Sequence, residues 1–465
     1  MRRWGSALRG AAGCLAAVLA VVAEAASSAR ALADEPAFSD TMTGGWGGAR
    51  PALADRGISI GVTHIGEALA PVSGGAKQGT AFEGLLDVTV DTDLGKLVGW
   101  RGATTHIRAF QIHNAGGENA ADHAGAISDP SNIDALATTR FFTAWFQQEF
   151  GTAGSIRIGQ LAADDEFFIS DTAGGLINGT FGWGNHLAAN LPGGGPGYPL
   201  ATPGLRGQIA VSDTVSVLGA VFSGDPAGSG CSRADPDADP QACNRRGTTF
   251  SLDGGALWMG EFQYLANRGG EGRATGLGGA YKVGAWFHTG RFADQRYGRD
   301  ATGARVSLAD PNVVDGTMHD GNWGVYGVAD QTIWRGDASS VSVFLRGAAS
   351  PSDRNLVSWT IDGGFGLKGL IPGREDDTLT FGLAHTRVSG GLDRDVGLFS
   401  GAAYPVRSGE TVIELSYAMH VAPWWVVQPD IQYIIRPGGG DPHPDDDTRR
   451  KGNAFLVGVR SEVSF

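Results

Sequence analysis

Cysteine is scarce in this chain: three residues in 465, at Cys14, Cys231 and Cys243. That excludes a disulfide-dense secreted scaffold. Charge is thin as well, at 18% Asp, Glu, Lys and Arg, and its balance is acidic, with a formal net charge of −13. An acidic surface repels phosphate backbones, so nucleic acid is not an expected partner. Beyond the first 33 residues there is no apolar run of the roughly 18 residues that a membrane helix needs. Catalytic signatures are missing too: no His-Glu-x-x-His, no Gly-x-Ser-x-Gly and no phosphate loop ending in Gly-Lys-Ser/Thr.

What is present is Gly and aromatic bulk: 74 Gly, 21 Phe and 12 Trp in a chain that is 42% apolar. That is too Gly-rich for a helix bundle and too apolar for disorder. Residues 1–33 read as a secretory leader, with a basic start at Met1 to Arg9, an apolar centre at Leu15 to Val22 and small residues at Ala31-Leu32-Ala33. An anchor helix is the alternative, but Glu24 interrupts the run. Arg2, Arg3, Arg9 and Arg30 against Glu24 give the leader a net +3, which takes the mature chain from −13 to −16. Cys14 leaves with the leader. Cys231 and Cys243 lie in a polar stretch rich in Gly, Pro and Asp, where an exported protein favours a disulfide. Zinc would want a Cys-x-x-Cys pair or a nearby His, and neither is there.

The mature chain alternates at period two. From Thr411 to Val421 the odd positions include Ile413, Leu415, Tyr417 and Met419, with Glu414, Ser416 and His420 between them. Leu86, Val88 and Val90 oppose Asp87, Thr89 and Asp91, and Trp359, Ile361 and Phe365 oppose Thr360, Asp362 and Gly364. These are strands with one oily and one wet face, near the ten residues that cross a bilayer at a tilt.

A soluble sandwich would also alternate, so the connections decide. Sixteen strands are predicted within 57–465, from 57–69 to 452–465, including 248–266, 275–288 and 321–334. Long connections such as 70–81, 113–139, 162–203, 224–247 and 289–320 alternate with short ones such as 94–100, 151–154 and Ala422-Pro423, with 351–354 the one short exception on the long side. An even strand number with tight turns at one rim and long loops at the other predicts an all-β fold, a 16-stranded antiparallel transmembrane β-barrel. Closure follows because an open edge in hydrocarbon would leave backbone N–H and C=O groups unpaired, at roughly several kcal/mol each. Sixteen strands leave a water-filled lumen.

The longest connection, 162–203, carries Asp164, Asp165, Glu166, Phe168, Asn178, Trp183 and Asn185. It is too aromatic to stay in water and is expected to fold inward as a constriction loop. Carboxylates, amides and guanidinium groups would hydrogen-bond hydroxyls there, and aromatic faces would stack on sugar rings. Parity adds Glu67, Arg108 and Arg157 as lumen-facing candidates, along with Glu261, Arg346, Glu414 and Asp430. Consecutive Asp164 and Asp165 point apart on an extended segment and make a poor glycosidase pair. Asp235, Asp237 and Asp239 imitate a calcium loop, but Pro240 replaces its Gly and Arg246 its Glu, so no metal or other cofactor is expected.

The chain resembles the carbohydrate-selective porins of the OprB type. The likeness runs through Gly45-Trp46-Gly47-Gly48-Ala49-Arg50, Ile158-Gly159-Gln160-Leu161-Ala162-Ala163-Asp164-Asp165-Glu166-Phe167-Phe168, Asn178-Gly179-Thr180-Phe181-Gly182-Trp183 and Ala422-Pro423-Trp424-Trp425. It covers essentially the whole mature chain in order. The resemblance implies passive passage of monosaccharides, glucose among them, through an outer-membrane barrel in contact with lipid and lipopolysaccharide. It also implies a periplasmic N-terminal segment at 34–56 with a short helix near Pro51 to Asp55, and leaves homotrimer and monomer open. A general diffusion porin, an outer-membrane barrel enzyme and an adhesive barrel are the competing readings.

Overall fold

The computed structural model describes residues 38–234, 239–267, 276–401 and 404–465. The leader at 1–33, and Asp235 and Asp237, lie outside the described residues. Sixteen strands form the wall: β1 (Ile58–Gly75), β2 (Ala81–Asp93), β3 (Ala103–Asn114), β4 (Thr138–Glu149), β5 (Gly154–Leu161), β6 (Thr202–Ala210), β7 (Val215–Ser223), β8 (Ala256–Ala266), β9 (Gly279–Asp300), β10 (Val313–Arg335), β11 (Ser340–Ala349), β12 (Val357–Lys368), β13 (Thr378–Val388), β14 (Gly409–Ala422), β15 (Trp425–Ile435) and β16 (Gly452–Ser464). Each pairs antiparallel with its chain neighbour, and β1 pairs with β16 from Thr63↔Ser464 to Gly75↔Gly452, which closes the ring.

The period-two pattern becomes an outside and an inside. On β14 Leu415 is 41% exposed outward while Glu414 beside it is 0% exposed. Exposed Trp258, Trp323 and Trp359 ring the long-loop rim, and Trp100 and Trp334 the short-turn rim, as an interfacial girdle requires.

Three boundaries differ from expectation. β1 runs on to Gly75, paired with β16, so the predicted long connection 70–81 shrinks to 76–80. The predicted loop 289–320 is mostly strand: β9 and β10 run 22 and 23 residues, well past the bilayer, as a paired hairpin. Ladder bonds need no oily face, so Phe292↔His319 and Gly298↔Gly316 pair in water with Arg291 and Asp320 exposed. Conversely, 248–255 is not strand, because Gly254 and Gly255 take φ of 91° and 92° in a turn before β8.

Before β1 the chain forms a helix at Ala49–Asp55. Arg50, stacked 4.2 Å from the Trp46 ring, donates to Gly44 O and to Phe465 O, while Met42 N donates to Ser464 O. The segment is thus tied to the closing strand at the short-turn rim. In the 224–255 loop Cys231 and Cys243 are joined by a disulfide, with their Cα atoms 6.0 Å apart.

Candidate solute pathway and its constriction

Between β5 and β6 the segment 162–201 turns into the barrel. Its backbone cannot pair in a ladder there, so side chains of the wall satisfy it. Glu261 on β8 accepts from Phe168 N (2.9 Å), and Lys282 on β9 donates to Ile169 O (2.8 Å). Asp330 on β10 accepts from Ser170 Oγ and from Thr172 N and Oγ1. Arg346 on β11 donates to the carbonyls of Phe168, Thr180 and Gly182 and is itself held by Asp362 on β12 at 2.7 Å. Asn190 exchanges two bonds with Val357, imitating a strand partner. Glu414 on β14 accepts from Ile177 N and Asn178 N. The loop is therefore clamped across the wall from β8 to β15, with Phe167, Phe168, Leu187 and Leu191 packed on Leu218, Phe222, Trp286 and Tyr326.

A second segment enters beside it. Residues 113–139 were expected only as a long loop, yet Glu410 accepts from Ile127 N and Ser128 N, Gln432 donates to Pro130 O, and Gly179 N donates to Asp129 O. The two inserts brace one another and fill one side of the lumen. A long polar connection is the only sequence signal for it.

The other side, lined by β2 to β6, stays open and carries the charge. Arg108 binds Asp87 at 2.7 Å and faces Asp165 at 3.7 Å. Glu166 is shared: Oε1 lies 2.7 Å from Arg157 and Oε2 2.7 Å from Arg206. Gln147 accepts from both Arg157 and Arg206. Arg157 sits 3.9 Å from the Trp145 ring centroid, and His106 stacks on that ring at 4.9 Å. Asp87, Trp145, Gln147 and Arg206 were not singled out from sequence; strand parity marks them as inward without ranking them.

Of the expected site residues, Arg108, Arg157, Asp165 and Glu166 come together at the opening. Asp164 does not face it: its carboxylate accepts from Tyr198 N at 2.7 Å behind the loop surface. Burial, and then the neighbouring Asp165 charge, push the Asp164 carboxyl up to about 7. Phe168, Asn178 and Asn185 are buried anchors, with Asn178 donating to Gln432 and Asn185 to Ser128 and Thr386. Trp183 is partly buried and donates to Gly194 O. Glu67 is buried in a pair with Arg460, away from the opening. The aromatics expected to offer stacking faces are thus spent on packing, because a loop of this length needs a core of its own.

Similarity to known proteins bears on the whole arrangement. The family model described as carbohydrate-selective porin, OprB family, matches residues 77–465. Porin B of Pseudomonas aeruginosa is 25% identical over 97% of this chain and 97% of its own length. The putative porin QuiX of Acinetobacter baylyi is 23% identical over 91% of this chain and 93% of its own. The high-pH structure of Pseudomonas putida OprB superposes with a TM-score of 0.78 at 22% identity, covering 92% of this chain and 98% of that one. By this match over most of its length, the chain belongs to the OprB family of carbohydrate-selective porins, channels of the bacterial outer membrane.

Proposed function

We propose that the opening favours neutral monosaccharides such as glucose, and that Arg108 and Arg157 with Asp87, Asp165 and Glu166 are the groups they meet, while buried Arg206 braces Glu166 from behind. One observation carries this reading: each of the three guanidinium groups lies 2.7 Å from a carboxylate oxygen. A sugar sliding past finds donors and acceptors already aligned and strips water from no isolated charge. An ion finds little net field to hold it. The chain acts as a conduit rather than a hydrolase: both Glu166 oxygens are committed to arginines, and Asp164 and Asp165 diverge. Its oily exterior and Trp rings face lipid and lipopolysaccharide, 34–56 stays on the periplasmic side, and 1–33 is removed on export.

Liposome swelling with purified protein tests the preference. Glucose is expected to enter faster than amino acids or salts of similar size. Equal rates for all solutes of one size would reduce the channel to a general diffusion porin.

A further inference from the structure

The second insert, between β3 and β4, is seated on an excess of carboxylates. Its helical turn at Ala120–Ala124 sets Ala120 N on Glu83 Oε1 of β2 and Ala121 N on Asp134 Oδ2, so two acids stand side by side on consecutive amides. Asp122 accepts from Asn119 N at the same turn, and Asp129 accepts from Ser131 N further along. Glu67 of β1 faces Glu83, Asp129 and Asp134 from the wall. Glu67 and Glu83 are 5% and 6% exposed, and each has one oxygen that meets no donor.

Cations do not balance this group. Arg460 on β16 reaches it, bonded to Glu67 and to Asn132 Oδ1. The other cations along the insert are engaged elsewhere: Lys77 and His123 on Glu118, and Lys451 on Gly125 O and Asp441. The first insert offers a neutral neighbour, the Tyr198 phenol, which donates to Ile133 O at 2.7 Å. β15 offers one more acid, Asp430, and on β14 Glu410 holds the far end of the insert through Ile127 N and Ser128 N. Four carboxylates, Glu67, Glu83, Asp129 and Asp134, thus share one guanidinium. Like charges crowded into a partly dry site do not all ionise together. Burial, and then the Asp134 charge, hold the Asp129 carboxyl well above the ordinary carboxylate range, and burial pushes Asp134 up to about 7.

We propose that the second insert is a proton-held clasp: it stays seated while these acids share protons and lifts from the wall as they ionise, widening the passage on the alkaline side. Its effect on solutes rests on the transport reading above and adds a regulation to it. The seated insert binds more protons than a lifted one, whose aspartates titrate near 3.8, so its stability is lost as pH rises from about 4 to 7.

Hydrogen exchange across 115–137, read by mass spectrometry on the whole protein in micelles, reports the lifting. EDTA is present so that no divalent cation stands in for the protons. Glu83→Gln with Asp129→Asn removes two charges and keeps the oxygens that accept Ala120 N and Ser131 N. Dividing the wild-type rate by the variant rate at each pH cancels the chemistry of exchange itself. That ratio is expected to rise about tenfold between pH 5 and pH 7, where one proton held throughout sets a ceiling of tenfold per pH unit. Asp129→Asn alone is the second variant should the pair fail to assemble, with a smaller rise of the same sign. Sucrose entry into wild-type liposomes should increase from pH 5 to pH 8. A ratio constant with pH overturns the clasp. A rising ratio with sucrose entry unchanged overturns the widening and spares the transport reading. Wild-type liposomes closed to glucose at both pH values would strike the transport reading itself and leave the exchange result standing.

Discussion

The two sides of the lumen are built from the same alternating strands and do opposite work. From β8 to β15 the inward charges beneath the inserted loop are consumed: Glu261, Asp330, Arg346 and Glu414 are bonded to its backbone. From β2 to β5 they are left in the passage, where Asp87, Arg108 and Arg157 pair with one another or with the loop's acidic corner, and buried Arg206 on β6 supports that corner from behind. An inward-pointing charge is thus a clamp or a contact according to whether a second piece of chain lies over it. Orientation alone does not tell the two apart.

The comparison breaks most severely at the clamp. Arg346→Ala removes the partner of Asp362, leaving a carboxylate that is 4% exposed without its cation, a loss of about 3–5 kcal/mol. Three loop carbonyls lose their donor as well. The expected outcome is a loop that leaves the wall, seen as a several-fold rise in single-channel conductance and new protease cleavage within 162–201. A variant with wild-type conductance would show that the other anchors suffice.

A smaller effect is expected on the open side. Glu166→Gln leaves Arg157 and Arg206 without their shared carboxylate, so the passage gains net positive charge while the loop keeps its anchors. Reversal potentials in a salt gradient should move toward anion selectivity, by about threefold in permeability ratio. Unchanged selectivity would remove Glu166 from the lining.

The smallest effect sits at the border between the two sides. Asp164 holds a proton to about 7 in the seated loop against an ordinary value near 3.8. The seated state therefore binds more protons than a released one across that window, and its stability falls as pH rises from about 4 to 7. Current fluctuations from loop motion should grow between pH 5 and pH 8 and flatten in Asp164→Asn. Asp165, also raised, and Arg108 face the same group, so some residual slope is expected. A wild-type record that is flat with pH would remove Asp164 as the titrating group.

Legibility followed the solvent. Strands whose outer face meets lipid must alternate, so all sixteen could be placed from sequence, β14 and β16 nearly to the residue. Where β9 and β10 leave the membrane, that constraint lapses and the hairpin read as a loop. Within 162–201 the acids Asp165 and Glu166 lie beside Arg108 and Arg157, but Phe168, Asn178 and Asn185 went to anchoring, since amides and rings serve an inserted loop's interior as well as they serve a sugar. Glu67 failed for the same reason on β1, its inward side covered and paired with Arg460.

What the chain's order of residues determined unaided is the barrel: strand number, and inside and outside, because hydrocarbon punishes every unpaired peptide group and every misplaced charge in the same way along its length. What only the folded molecule decided is the passage. Two inserts, one of them marked in the sequence only by its length, choose which inward residues are covered and which remain wet, and that choice is made by contacts between segments such as Arg346 with Thr180 and Glu410 with Ser128, far apart in the chain, whose pairing no local pattern encodes.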